Sequence, residues 1–334
     1  MVGKSDLRIG LIADTHEAEN PTELIAKLAS FGCDLHIHLG DIGGSRLASR
    51  FVREFKQSLG NVDHLGEKDR QCYETLKEQG VSPLWAYIET KLGADSASRT
   101  RRALEAQQSY VEVVKAIKDL PNTIMLSGNI DKSLLRAHVI DPGIHDRRVP
   151  LVTEPELLDL GSRALILWPS MKHGEPEQMR EIGDRVDSFV RTVLDKDQVI
   201  VFAHEQIYKG PLPARYKENV ESAGYQAMTI PRFEPNPCWR ILLQLFRSLR
   251  PSQAVAMVYG HVHDPHRVVQ AGAPYLKGTE SEGLRFRLYG FGPRARSDTS
   301  YPSERRTIRL FTIPADVTAI LHLTPKEMSL EILP

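Results

Sequence analysis

The sequence predicts an α/β fold whose strands are covered on both faces. Three observations lead there. Short, continuous β-branched and apolar runs recur along the chain, separated by stretches with helical patterning. Each run stops at a polar or glycine-containing block. Those blocks carry metal-binding side chains, and the ends of parallel strands are where open α/β sheets place their sites.

Residues 7–13 (LRIGLIA) read as the first buried strand, ending at Asp14. Residues 21–31 read as a helix, with Pro21 at its first position and Asn20 as its cap. A second strand, 34–39, ends at Gly40-Asp41, and a third, 123–127, ends at Gly128-Asn129. Further runs at 163–168, 198–203 and 254–259 end at Pro169, His204 and Gly260-His261. Between the second and third strands the rhythm breaks. The span from about 45 to 120 is polar, with helical patterning at 46–58, 67–79 and 97–118, where Ala103, Tyr110, Val113, Val114 and Ile117 share one face. It reads as a helical insertion: a lid, a dimer contact or a substrate-selecting cap, or simply a helical layer packed on the core. After residue 263, short strands at 266–269, 284–289, 306–312, 317–323 and 327–332 resemble a second sheet layer. The expectation is one domain over 1–334 carrying this insertion.

Composition narrows the class. The chain has 334 residues, 41% hydrophobic and 26% charged, which is ordinary for a soluble globular protein. Lys plus Arg and Asp plus Glu both number 43, so no global field draws it to nucleic acid or an anionic membrane. Cys33, Cys72 and Cys238 form no CxxC pair and no disulfide framework, which points to a reducing compartment. The run from Leu7 to Ala13 is too short for a signal peptide or membrane span. The expected location is therefore cytoplasmic, with no membrane partner.

The chemistry lies in the blocks taken together: Asp14-Thr15-His16, Gly40-Asp41, Gly128-Asn129, His204 and Gly260-His261-Val262-His263. Each alone is weak, since a Gly-Asp at a strand end is usually a turn. Jointly they supply the nitrogen and oxygen ligands, with a carboxylate to share, that two divalent cations about 3.5–4 Å apart require. Such donors suit Mn²⁺, Fe or Zn²⁺ better than thiolate sites do.

In this order the blocks resemble the calcineurin-like metallophosphoesterase superfamily, whose pattern is D-x-H, G-D, G-N-H-D/E, H and G-H-x-H. Here it reads DTH at 14–16, GD at 40–41, GNID at 128–131, AH at 203–204 and GHVH at 260–263. The resemblance implies a four-layer α-β-β-α sandwich with a dinuclear metal site on one edge. It implies that Asp14, His16 and His263 hold one ion, that Asn129, His204 and His261 hold the other, and that Asp41 bridges them. Catalytic work falls to Asp41, Asn129 and His204. The cofactors implied are two divalent ions, Mn²⁺ first, with Fe, Zn²⁺ or Ni²⁺ as alternatives. The reaction implied is hydrolysis of a phosphate ester by a hydroxide held between the ions.

One departure matters. Ile130 stands where the family usually has a His that assists the leaving group. This favours phosphodiesters and acidic leaving groups over ordinary alkyl phosphates. His138, His145 and His173 are candidate substitutes, against the plainer reading of solvated or core histidines. Asp131 is expected to orient its block. His36 and His38 read first as core histidines bonded to backbone, and as partners of the site second. Glu205 has no specific assignment. Lys132 and Arg46 could steer an anion or be solvated charges. The stretch 285–296, with Arg305, Arg306 and Arg309 after it, could grip a nucleotide or nucleic acid by stacking and charge, or protect a sheet edge. Gly3-Lys4-Ser5 lacks the strand and first glycine of a phosphate loop. The alternatives are a nuclease of the same superfamily and a non-catalytic scaffold that docks partners through the insertion.

Overall fold

The structure is a computed structural model that describes residues 6–43, 64–136, 140, 142–171, 176–205, 237–261, 284–289, 295–296, 306–313, 315 and 317–333. Two sheets carry it. In the first, strands lie in the order β10 (Ala295–Arg296), β13 (Met328–Ile332), β12 (Ala319–Leu323), β1 (Leu7–Ile12), β2 (Leu35–His38), β3 (Thr123–Leu126) and β4 (Leu151–Val152). In the second the order is β5 (Glu156–Leu160), β6 (Arg163–Trp168), β7 (Gln198–Ala203), β8 (Ala254–Tyr259), β11 (Arg306–Thr312) and β9 (Leu284–Tyr289). Strands β1 to β4 pair in parallel, as do β6, β7, β8, β11 and β9.

Alternation along each strand explains the layering. Leu165 and Leu167 of β6, Ile200 and Phe202 of β7, and Val258 of β8 point inward onto Leu7, Ile9, Leu11, Ile37 and Leu126 of the first sheet. Their neighbours Ile166, Trp168, Val201 and Met257 point outward and are covered by α6 (Pro176–Leu194) and α7 (Pro237–Ser248). The outer face of the first sheet, through Ile12, Met125 and Ile320, packs on α1 (Pro21–Ala29), α4 (Ala94–Ile117) and α5 (Asn129–Arg136). The order of layers is therefore helix, sheet, sheet, helix, which explains why the strand runs are apolar on both faces.

Helix α1 begins as the sequence predicts, with Pro21 in its first turn and the Asn20 side chain accepting from the Glu23 N–H at 3.3 Å. Between β2 and β3 stand α2 (Glu67–Glu78), α3 (Pro83–Leu92) and α4. Tyr110, Val113, Val114 and Ile117 of α4 are all buried in the outer core of the first sheet. The expected shared face is thus a packing face; the Ala103 side chain lies outside the described ones. Residues 46–58 and 266–269 also lie outside. One expectation needs refinement. The late strands do not build a layer of their own: β9 and β11 extend the second sheet, while β10, β12 and β13 extend the first. Strand β12 pairs antiparallel with β1, Leu323 opposite Leu7.

At the strand ends far from the polar blocks, Arg163 joins the sheets. It is 3% exposed, donates from Nε to Gln198 Oε1 at 2.7 Å, and from Nη2 to the Leu323 carbonyl at 3.3 Å. Gln198 Nε2 in turn donates to the Thr324 carbonyl at 2.6 Å. Arg163→Met keeps the stem but strips these acceptors. It is expected to cost about 1–3 kcal/mol per polar group left unpaired, read as a lower denaturant midpoint at unchanged slope.

Candidate metal centre

The described parallel strands β1, β2, β3, β7 and β8 deliver Asp14, Asp41, Asn129, His204 and His261 to one end of the sandwich, three from the first sheet and two from the second. Asp14 is 0%, Asp41 1% and His204 0% exposed, while His261 is half-buried. One ligand atom from each of these four lies within 4.8 Å of all the others. Asn129 joins them, its Oδ1 3.0 Å from His204 Nε2. His16 stands beside Asp41. His263 lies outside the described residues.

Strained backbone shapes the cluster. Asp14, Asp41 and His261 have φ of 52°, 55° and 65°, the left-handed region that costs a non-glycine residue on the order of 1–3 kcal/mol. Three of the four such residues among those described are in the site, so the strain is concentrated where the side chains must converge. The glycines of the motifs have a steric cause. A Cβ on Gly128 would run into the Asp41 carboxylate and backbone N, and one on Gly40 would come within 2.7 Å of the Gly128 backbone N. A Cβ on Gly260 would lie 2.8 Å from Asp14 Oδ2.

Hydrogen bonds orient each donor. His204 Nδ1 donates to the Leu39 carbonyl at 3.0 Å, and His16 Nδ1 to the Asp41 carbonyl at 3.0 Å. In both rings this leaves Nε2 as the lone-pair nitrogen of the neutral form, the usual arrangement for a metal-ligating histidine. The Ile130 N–H donates to Asp41 Oδ1 at 2.8 Å, and Asp41 Oδ2 lies 3.4 Å from His204 Nε2. The His261 N–H donates to Asp14 Oδ2 at 2.6 Å.

Asp131 organises the second and third blocks from behind. Its carboxylate accepts from the N–H groups of Asp41 (2.8 Å), Ile42 (2.9 Å) and Gly128 (2.8 Å). Burial, reinforced by the Asp41 carboxylate, pushes its carboxyl up to about 7 against the pull of those N–H groups.

The donor set itself tests the fit to a cation. Asn129 Oδ1 faces acceptors only. If the amide is turned over, its NH₂ donates to Asp41 Oδ2 at 3.3 Å, His204 Nε2 at 3.0 Å and His261 Nδ1 at 3.2 Å. The carboxylate and two imidazole nitrogens are satisfied by that turned-over NH₂, or, with the amide oxygen facing them as a fourth acceptor, by a positive ion. The residues present fit a divalent cation.

Protons compete for the same point. Burial alone would push His204 down, but the Asp41 carboxylate outweighs it and lifts the imidazole from 6.5 to about 10. Burial would raise Asp41, and the His204 charge instead holds it well below its usual 3.8. The signs differ. The His204 contribution to stability is complete below pH 6.5 and is lost as pH rises towards 10; the Asp41 contribution is present above 3.8 and is lost as pH falls below it. Chelator-treated protein is therefore expected to melt at progressively lower temperature between pH 6.5 and 10. His204→Asn should flatten that slope, as thermal melts across the range will show.

Other expected residues fall as follows. The Ile130 side chain packs into the outer core, so only its backbone serves the site. His145 Nε2 bonds the buried Tyr110 hydroxyl at 2.6 Å, and burial pushes this imidazole down to about 4. Glu205 accepts from the Ser170 hydroxyl at 2.8 Å. Lys132 Nζ lies 4.0 Å from Met171 Sδ. His36 and His38 divide: His36 Nδ1 bonds the Pro121 carbonyl at 2.8 Å, whereas His38 bonds Thr15 and Gly40. Thr15 carried no signal in the sequence beyond lying between two ligand-type residues. Arg46, His138, His173, Arg305 and Gly3-Lys4-Ser5 lie outside the described residues, as do the side chains of 285–296 and Arg306.

Fold and site together define a four-layer α/β sandwich with a His/Asp cluster, buried but for the half-buried His261, that could hold a metal ion. No protein-family model matches the chain. No curated protein matches it either. Among solved structures, it is similar to purple acid phosphatase PPD1 from yellow lupin (Lupinus luteus) seeds, with 14% identity over 99% of this chain and 52% of that one, at a TM-score of 0.45. The chain thus spans about half the length of that phosphatase. It is also similar to GAP50, the anchor in the inner membrane complex of Plasmodium (10% identity, 99% and 85% covered, TM-score 0.40), and to PhoD (9%, 97% and 65%, 0.39). Likeness at these levels concerns the fold alone. Among the described residues, no helix is long and apolar enough to cross a membrane.

Proposed function

We propose that this chain is a metal-dependent phosphoesterase, preferring phosphodiesters to phosphomonoesters, that acts as a single domain in the cytoplasm. The observation that carries this reading is the ring of acceptors, Asp41 Oδ2, His204 Nε2 and His261 Nδ1, around the Asn129 amide. Asp14, His16 and His263 would hold one ion, and Asn129, His204 and His261 the other, with Asp41 shared. Mn²⁺ is the first candidate. When bound, two such ions lower the pKa of water and neutralise phosphoryl oxygens.

The chain's own residues do the rest. Ile130 N–H occupies Asp41 Oδ1, which turns Oδ2 towards His204 and the cluster. Asp131 fixes three backbone amides and so locks Asp41 against Gly128. The carbonyls of Leu39 and Asp41 fix the ring faces of His204 and His16. With Ile130 packed in the core, this position gives the leaving oxygen no side-chain proton donor. That supports substrates whose leaving group is already a weak base.

Protein stripped with chelator and reloaded with Mn²⁺ is assayed on bis-p-nitrophenyl phosphate and p-nitrophenyl phosphate. Faster metal-dependent turnover of the diester supports the reading. The reverse ratio replaces it with a monoesterase, and two bound metals without turnover of either shifts it to a scaffold.

A further inference from the structure

We propose that His38 is a positioning residue that sets the separation of Asp14 and Asp41 by acting through Thr15. This rests on the metal reading above. His38 is 1% exposed on β2, and the Gly40 N–H donates to its Nδ1 at 3.1 Å. Its ring proton therefore sits on Nε2, which donates to Thr15 Oγ1 at 2.9 Å. That hydroxyl, having accepted, donates onward to the Ile42 carbonyl at 2.9 Å. Every donation runs in one direction, and Thr15 Oγ1 accepts one bond and donates one. The relay starts at Gly40, passes through the residue after Asp14, and returns to Ile42, so it brackets Asp41.

The relay has work to do. Asp14 and Asp41 both hold left-handed backbone, at φ 52° and 55°, which persists only where surrounding bonds over-determine it. Two direct links between the blocks, Asp14 N–H to the Gly40 carbonyl at 3.0 Å and His16 N–H to the Asp41 carbonyl at 3.3 Å, fix the backbones side by side. The His16 ring adds a third through Nδ1 to the same Asp41 carbonyl, and the relay adds a further side-chain link on the Thr15 edge. Partners of this kind, one step behind the ligands, typically cost 10–100-fold in metal affinity when removed. His36 supplies an internal control. It is two residues away on the same strand and 2% exposed, but its Nδ1 bonds the Pro121 carbonyl and not a ligand block.

The test uses the full chain reloaded with Mn²⁺, in the variants Thr15→Val, Thr15→Ser, His38→Gln and His36→Gln. Calorimetric titration gives Mn²⁺ stoichiometry and affinity, low-temperature electron paramagnetic resonance reports exchange-coupled Mn²⁺ pairs, and melting under chelator reports the fold. Thr15→Val and His38→Gln are expected to melt cooperatively yet bind Mn²⁺ about 10–100-fold more weakly, with the coupled signal giving way to isolated Mn²⁺. Thr15→Ser, which keeps the hydroxyl, should restore both readouts, and His36→Gln should leave them unchanged. Should His38→Gln fail to fold, the near-isosteric Thr15→Val decides. Wild-type affinity and coupling in folded Thr15→Val overturn the inference, as does an equal loss in His36→Gln. Wild-type protein that takes up no divalent cation overturns the metal reading itself, before any substitution is compared.

Discussion

Asp41→Asn is expected to abolish metal-dependent phosphodiester hydrolysis, by at least about 10²–10³-fold in turnover, while leaving the fold intact. The substitution keeps the size of the side chain, so the 2.8 Å bond from Ile130 N–H can be kept by the amide oxygen. What it removes is the charge facing His204 at 3.4 Å, on the carboxylate proposed to be shared between the ions. Because that charge also lifts His204, the variant should lose the alkaline decline in melting temperature along with activity. Activity assays on the reloaded protein and melts on the chelated protein check the two halves separately. Unchanged turnover would indicate a contaminating hydrolase.

Gly128→Ala is expected to be the most damaging glycine-to-alanine change among the described residues. The added Cβ would meet the Asp41 carboxylate and the Asp41 backbone N. Neither can move freely. The Asp41 N–H is tied to Asp131 Oδ2 at 2.8 Å, and the carboxylate to Ile130 N–H at 2.8 Å. Overpacking typically costs about 1–3 kcal/mol where side chains can yield; here backbone must shift, so the upper end of that range or beyond is expected. Gly161→Ala is a useful contrast. Nothing lies within 4 Å of its Cβ position, and its φ of 74° makes it pay backbone strain alone. Denaturant titrations of both variants, with Mn²⁺ content measured beside them, would show whether loss of metal accompanies loss of stability at Gly128 and not at Gly161.

Much of this arrangement was legible in the chain because it is written at short range. A strand covered on both faces must be apolar throughout, so 7–13, 123–127, 198–203 and 254–259 announced themselves, and the block after each gave candidate ligands. The partition of the late strands was not legible. Strands at 284–289 and 319–323 are both short runs with no local mark of their partner, yet one pairs with β11 and the other with β1. Only long-range docking decides that. The relay through Thr15 was hidden for a related reason: its members are spaced 23 and 27 residues apart, and no local pattern marks them. The packing of Ile130 against the helix-side core likewise turns on α5, which begins at Asn129.

The bond from His261 N–H to Asp14 spans 247 residues. β1 is flanked on one side by β2 and on the other by β12, which lies more than 300 residues later. During synthesis the first strand would therefore emerge with one edge waiting for almost the last, a row of open N–H and C=O groups of the kind that invites wrong pairing. Closure over such a distance is slow. A cation that needs ligands from both sheets could bind with full affinity only after that closure. It would then draw the finished state out of the pool of unfinished ones by mass action. The supply of metal would, on this logic, govern the yield of folded chain as well as its activity.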